Sequence, residues 1–108
     1  MIFTNESVPI QGIDPRCERR VLPHTQGLMA VEVRFKKGGI GSPHAHEDHE
    51  QVSYVLSGSF EVTVGGETRV IGPGGGFTAE RNVLHGVKAL EDGTLLDCFT
   101  PIRRDFLP

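Results

Sequence analysis

"GIGSPHAHEDHEQVSYVLSGSF", residues 39–60, runs from a glycine- and proline-broken lead-in, through a cluster of histidines, into an apolar run and a tight turn. His44, His46 and His49 crowd its middle, with acidic residues between them. In an extended chain, residues two apart point the same way and lie about 6.6 Å apart. His44 and His46 can therefore direct both imidazoles to one side. His49 is out of phase with them, although the turn "EDHE" breaks parity there. Taken alone, an HxH pair is weak evidence, and a solvated polar loop is the favoured reading. If Gln51 opens the strand "QVSYVL", its side chain shares a face with Ser53 and Val55.

Outward from this stretch the pattern is strand and turn. "MAVEVRF", Met29 to Phe35, alternates, with Met29, Val31, Val33 and Phe35 on one face. "KKGGIGSP" interrupts it. After "QVSYVL" come the turn "SGS" and the alternating "FEVTV", Phe60 to Val64. Gly65-Gly66 is a hairpin signal leading into "ETRVI". "GPGGG" is a loop, "FTA" a short strand, "ERNVL" a turn, "HGVKAL" a strand and "EDG" another turn, before "TLLDCFTP" closes the series. Turn signals roughly ten residues apart point to an all-β sandwich or barrel. The first stretch of the chain and the tail "PIRRDFLP" show no clear period. The expected organisation is one domain: a barrel over about residues 29–100, an N-terminal arm 1–28 and a C-terminal tail 101–108.

Composition agrees with a single small core. The chain has 108 residues, 14 glycines and seven prolines, and no apolar period of 3.6 persists for three turns. A formal net charge of -3, without a basic run longer than two residues, argues against nucleic acid and against an anionic membrane surface as partners. No apolar run is long enough to span a bilayer as a helix. The opening "MIFTNESVPIQGIDP" lacks a basic region followed by an apolar one, so the simplest expected address is the cytoplasm. There Cys17 and Cys98 are expected as reduced thiols. His24, isolated beside Pro23, reads as a surface residue.

A later histidine changes the weight of the HxH pair. His85 opens a strand after "AERNVL", with Asn82 and Gly86 as turn and close-packing residues. Two chelating histidines and a third from a facing strand make the ligand count of an open, catalytic-type metal site. At this point the sequence resembles the cupin family. The first cupin motif runs from a glycine through HxH to an acid and a closing glycine. "GGIGSPHAHEDHEQVSYVLSG" is similar to it from Gly38 or Gly39 through His44 and His46 to Gly58. "GPGGGFTAERNVLHGV" resembles the second motif, whose metal ligand falls on His85. The resemblance implies a single-domain double-stranded β-helix, or jelly-roll barrel, usually a homodimer, with a metal held by His44, His46, Gln51 and His85. Two departures stand out. The acid of the first motif is Gln51, and the proline usual near the second motif's turn is replaced by the run Ala79-Glu80-Arg81. A neutral amide ligand leaves the ion its full double charge, which strengthens it as a Lewis acid and attracts an anionic substrate. Zinc, nickel, iron and manganese all suit such a ligand set.

The last strand narrows the chemistry. In "TLLDCF", Asp97 and Phe99 share a face while Leu96 and Cys98 take the other. An acid facing the inside of a barrel is costly unless paired or catalytic. Arg103 follows at a distance that lets it fold back over the mouth, so a structural Asp97–Arg103 ion pair with Phe99 in the core is the plain alternative. The combination of HxH, Gln51, His85 and "LLDCFTPIRRDFL" is similar to the small pectin-degradation cupins of the KdgF type. That resemblance implies a metal-dependent enzyme for a small sugar acid, converting cyclic 4,5-unsaturated monouronates from pectin or alginate to the linear ketonised form. It carries catalytic and substrate roles over to Asp97, Phe99 and Arg103. Asp97 would then move protons, Arg103 grip the uronate carboxylate in bidentate fashion, and Phe99 form an apolar wall. A dioxygenase or another sugar-acid isomerase on the same metal, or a non-enzymatic ligand-binding cupin, are the competing readings. Tyr54, out of phase with Gln51, is expected in packing or a dimer contact. His49 and Glu50 are expected near the mouth, with His49 a spare ligand or proton carrier.

Overall fold

The computed structural model describes residues 2–107. Ten strands form among them: β1 (Gln11–Asp14), β2 (Cys17–His24), β3 (Met29–Phe35), β4 (Ile40–His44), β5 (Glu50–Ser57), β6 (Phe60–Val64), β7 (Glu67–Ile71), β8 (Gly76–Ala79), β9 (His85–Ala89) and β10 (Gly93–Thr100). They make a six-stranded sheet in the order β1-β2-β3-β10-β5-β8 and a four-stranded sheet in the order β4-β9-β6-β7. The strand pairs are antiparallel. This is the all-β, single-domain jelly roll that the turn spacing and the motifs imply.

The core lies between the two sheets. Met29, Val31, Val33 and Phe35 of β3 are all buried, as their alternation requires. Val55 and Leu95 from the large sheet meet Phe60, Val62 and Ala89 from the small one in a single cluster. Phe35 and Phe60 close it edge-to-face, with ring centroids 5.4 Å apart. Each such buried side chain contributes about 1.5–3 kcal/mol of hydrophobic stabilisation.

The same inward face changes character along β5 and β10. Their register pairs Leu95 with Val55, Asp97 with Ser53 and Phe99 with Gln51. The face is apolar at Val55 and Leu95 and carries polar groups at Ser53, Gln51 and Asp97. One end of the sandwich is therefore sealed by hydrophobic packing, while the other presents hydrogen-bonding groups to a cavity. Gly58, the closing glycine of the first motif, makes the β5–β6 turn possible. It sits at φ +81, and a Cβ there would lie 2.6 Å from both the carbonyl oxygen of Asp92 and the Cα of Gly93.

Three strands lie where the sequence shows no period. Residues 11–14 and 17–24, read as part of an arm, form β1 and β2 and extend the large sheet beyond β3. Glycine, proline and charged residues interrupt their alternation. "IGSPH" forms β4 although it reads as an interruption; it is an edge strand, where Pro43 needs no ladder partner for its missing N–H. The tail 101–107 turns through a short 3-10 helix, Arg104–Phe106, and brings Arg103 and Phe106 to the cavity. Cys17 and Cys98 are free thiols. Among the described residues no helix is long and apolar enough to cross a membrane.

Candidate metal centre

His44 ends β4 and His85 begins β9, and the register of these two strands sets them directly opposite each other. His46 lies two residues past His44, in the loop, so its position follows from loop geometry and not from strand parity. That loop is tied down: the backbone N–H of Asn82 donates to the His46 carbonyl at 2.7 Å. Asn82 takes φ 66, a left-handed conformation asparagine tolerates. Asn82 thus supplies the turn geometry, and the N–H of Val83 closes the proline-free turn on the carbonyl of Glu80 at 3.1 Å.

The three imidazoles converge. Ring centroids are 4.4 Å apart for His44 and His85, 4.5 Å for His44 and His46, and 5.1 Å for His46 and His85. Their ligand atoms all lie within 4.8 Å of one another, an arrangement positioned to bind a metal ion. The tautomers follow from the neighbours. Nδ1 of His44 is 2.7 Å from the Ser42 carbonyl and Nδ1 of His85 is 3.0 Å from the Val83 carbonyl. A carbonyl only accepts, so both Nδ1 atoms carry a proton, which in the neutral ring leaves Nε2 as the acceptor.

Gln51 completes the group. Its side-chain N–H donates to Ser53 Oγ at 2.9 Å, and Ser53 passes its single hydroxyl proton to Asp97 Oδ1 at 2.6 Å. With Asp97 ionised that chain runs in one direction, which sets the amide with Oε1 turned to His85 Nε2 at 3.1 Å. His44 Nε2 and His46 Nε2 also face each other at 3.1 Å. Gln51 Oε1 and His85 Nε2, both acceptors, cannot satisfy one another at this distance, and a cation shared with His44 and His46 satisfies them. The donor set therefore fits a divalent transition ion on its own chemistry.

The electrostatics support the same assignment. Burial pushes the pKa of His46 down to about 4, with the charge of Arg103 and the neighbouring His44 and His85 adding to it. Burial also lowers that of His85, against a hydrogen bond to Val83 that favours its charged form. Both rings are thus held neutral and able to ligate. Asp97 moves the other way: burial raises it to about 6, opposed by its hydrogen bonds.

Asp97, Phe99 and Arg103 all line one cavity of about 330 Å³ together with His44, Gln51 and His85. Phe99 is almost fully buried, with its ring 6.1 Å from that of His46. Arg103 does not pair with Asp97. Its Nε and Nη2 bind the two oxygens of Asp105 at 3.0 and 2.8 Å, and Nη1 reaches to 3.4 Å from His46 Nε2. The structural ion pair considered for Asp97 and Arg103 is therefore replaced by an Arg103–Asp105 pair, because the tail turns back on itself through its 3-10 helix. The pairing holds the Asp105 carboxyl below the usual range.

His49 stands apart from the cluster. Its Nδ1 is 2.9 Å from the Pro101 carbonyl and its ring 5.9 Å from that of His46. His24 is exposed. Arg19 and Phe106 are among the cavity-lining residues that sequence reasoning did not single out. The parity that sets Arg19 beside Cys17 and Val21 emerges only once β2 is placed in the large sheet, because the sequence there shows no period; Phe106 lies in the aperiodic tail and left no signal.

The family model for the cupin domain matches residues 31–97. The pectin degradation protein KdgF of Dickeya dadantii (strain 3937) is 42% identical over 106 residues, 97% of this chain and 96% of that protein. The structure of KdgF from Halomonas sp. superposes with a TM-score of 0.95 at 42% identity, covering 99% of this chain and 98% of that one. An RmlC-like cupin from Shewanella frigidimarina NCIMB 400 does so with a TM-score of 0.92 at 39% identity, covering 97% and 94%.

Proposed function

The chain belongs to the cupin family, and from that premise we propose that it is a metal-dependent enzyme that opens cyclic 4,5-unsaturated monouronates to their linear keto form. Its near full-length likeness to a protein named for pectin degradation supports the substrate class. The observation that carries the reading is the shared wall of the cavity: the Gln51–Ser53–Asp97 chain links the acceptor cluster to a carboxyl with a pKa of about 6.

The divalent ion would be held by His44, His46, Gln51 and His85, and when bound it supplies Lewis-acid stabilisation of developing negative charge on oxygen. The remaining chemistry belongs to the chain. Ser53 occupies Asp97 Oδ1, which leaves Oδ2 as the basic oxygen available to substrate. Asp97 takes the proton of the anomeric hydroxyl, and an aldehyde forms as the ring carbon–oxygen bond breaks. The electron pair passes to the ring oxygen as an enolate. Return of the proton to the former alkene carbon gives the ketone. Substrate and product are isomers, so no oxidant or reductant enters. A carboxyl with a pKa near 6 is suited to take and return a proton near neutral pH.

Arg103 faces the cavity through Nη1, because its Nε–Nη2 edge holds Asp105. It therefore contributes a cation and a single directed donor, not the bidentate clamp first expected. Phe99 forms an apolar wall for the sugar ring. The reading includes a homodimer and a cytoplasmic setting. Val52, Tyr54 and Leu56 on the outward face of β5 are exposed apolar groups in register, a surface a second copy would cover. Two free thiols suit a reducing compartment.

The test is direct. Metal-loaded protein is mixed with unsaturated galacturonate or guluronate, and loss of the enol double-bond absorbance is followed against a chelator-treated control. Metal-dependent loss of absorbance is expected; oxygen uptake with an Fe(II)-loaded sample instead would assign the pocket to oxygenase chemistry.

A further inference from the structure

Arg19 is a charged residue on the inward face of a barrel strand. It alternates on β2 with buried Cys17 and with Val21, which packs on the core. Its Nε donates to Gln11 Oε1 at 2.9 Å, and Gln11 Nε2 donates to the Phe106 carbonyl at 3.1 Å. The guanidinium carbon lies 3.8 Å from the centroid of the Phe106 ring. Strand, glutamine and aromatic ring together hold the group in one orientation. Among the described residues its Nη1 and Nη2 have no hydrogen-bond partner, and no carboxylate lies within ion-pair distance. Burial, above all, draws its pKa down from the usual arginine value, while the charge of Asp105 works the other way.

Arg19 lines the same cavity as His44, His85 and Asp97. Asp14 also lines that cavity, but it accepts the backbone N–H of Arg16 at 2.7 Å. Arg103 shares the Phe106 ring, its guanidinium carbon 4.3 Å from the centroid. The two cations differ in what they offer. Arg103 has given its two-donor edge to Asp105, whereas Arg19 keeps its Nη1–Nη2 edge uncommitted and braced.

We propose that Arg19 binds the carboxylate of the sugar acid through its Nη1–Nη2 edge, making it the principal anion-binding residue of the cavity. This rests on the uronate reading above and adds the residue that selects an acid over a neutral sugar. A braced guanidinium with two parallel donors matches a planar carboxylate, and a partly desolvated cation without an anion gains most when one arrives. Phe106 is the platform that holds it, and Arg103 adds positive charge beside it.

The experiment compares wild type, Arg19→Gln and Gln11→Glu, all metal-loaded, each checked for metal content and melting temperature. Gln11→Glu keeps the guanidinium but gives it an internal anion, so it guards against a folding defect in Arg19→Gln. Two measurements are made: KM and kcat on unsaturated galacturonate and its methyl ester, and calorimetric affinity for saturated galacturonate and its methyl ester, which do not react. Both variants are expected to weaken binding of the free acids about 10- to 100-fold, the range of a charge-assisted hydrogen-bond pair. The esters should change less than about 2-fold by the same arithmetic. Unchanged galacturonate affinity in Arg19→Gln overturns the proposal, as does a wild-type protein that binds acid and ester alike. A wild type that binds galacturonate through Arg19 yet turns over neither unsaturated substrate overturns the reaction assigned above and leaves the carboxylate subsite standing.

Discussion

Asp97→Asn is expected to make the metal-free protein more stable and the metal-loaded protein nearly inactive. The wild-type carboxyl is raised from 3.8 to about 6, first of all by burial. Below pH 4 it is protonated in folded and unfolded chains alike and has no effect on stability. Between pH 4 and 6 the unfolded chain ionises first, so stability falls as pH rises. Above pH 6 the folded chain holds an ionised group in a poor environment, and the whole penalty stands. At about 1.4 kcal/mol per tenfold change in proton affinity, the move from 3.8 to about 6 corresponds to about 3 kcal/mol. The side chain opens on the cavity, where water screens part of that charge. The Ser53 hydroxyl also binds a carboxylate better than an amide. The gain for Asp97→Asn is therefore about 1–3 kcal/mol at pH 8, vanishing near pH 4. Asparagine keeps the acceptor for Ser53, so the pocket geometry persists. Urea unfolding of chelator-treated wild type and variant at a series of pH values measures the gain. Metal content should not change, whereas ring opening should slow about 10²-fold or more. A stability difference that is absent, or that does not vary with pH, would refute the buried-charge account. Wild-type turnover would remove Asp97 from the reaction.

Three further outcomes follow from the same geometry. Gln51→Glu removes the donor to Ser53, whose one proton must then serve two carboxylates. Metal affinity should rise in competition titrations, turnover should fall about 10-fold or more, and the acid limb of the pH–rate profile should move to higher pH. Loading the chelator-stripped protein with zinc, nickel or manganese at about 100 times the dissociation constant should add about 2.7 kcal/mol, a rise of about 10 °C in Tm. His85→Ala should show no such rise. Tyr54→Asp, which puts a charge in the middle of the exposed apolar face of β5, should shift the protein to monomer in sedimentation velocity; an unchanged dimer would place the interface elsewhere.

Much of the fold was legible because strand alternation is a local signal. Met29, Val31, Val33 and Phe35 declare their buried face with no knowledge of what lies opposite. The edge strand β4 was hidden because an edge tolerates glycine and proline, and β1 and β2 because few of their residues alternate. Among the site residues, His44, His46, Gln51 and His85 stood out through motif spacing, and Asp97 through an acid on an inward face. The placement of Arg103 was only half legible. Chain length told that it reaches the mouth, but the tail has no period to say that Asp105, two residues on, occupies its better edge.

By itself the sequence determined the candidate ligands, the phase of most strands and the family, since each depends on residue type and short spacing. Only the tertiary structure decided which groups meet across the barrel. The amide of Gln51 points its oxygen at His85 because Ser53 and an ionised Asp97, on two strands in fixed register, leave it one way to turn. Arg19 becomes part of the cavity because β2 joins the large sheet and the tail lays Phe106 against it. Hydrogen-bond direction and charge pairing depend on neighbours distant in the chain, and no local pattern of residues encodes them.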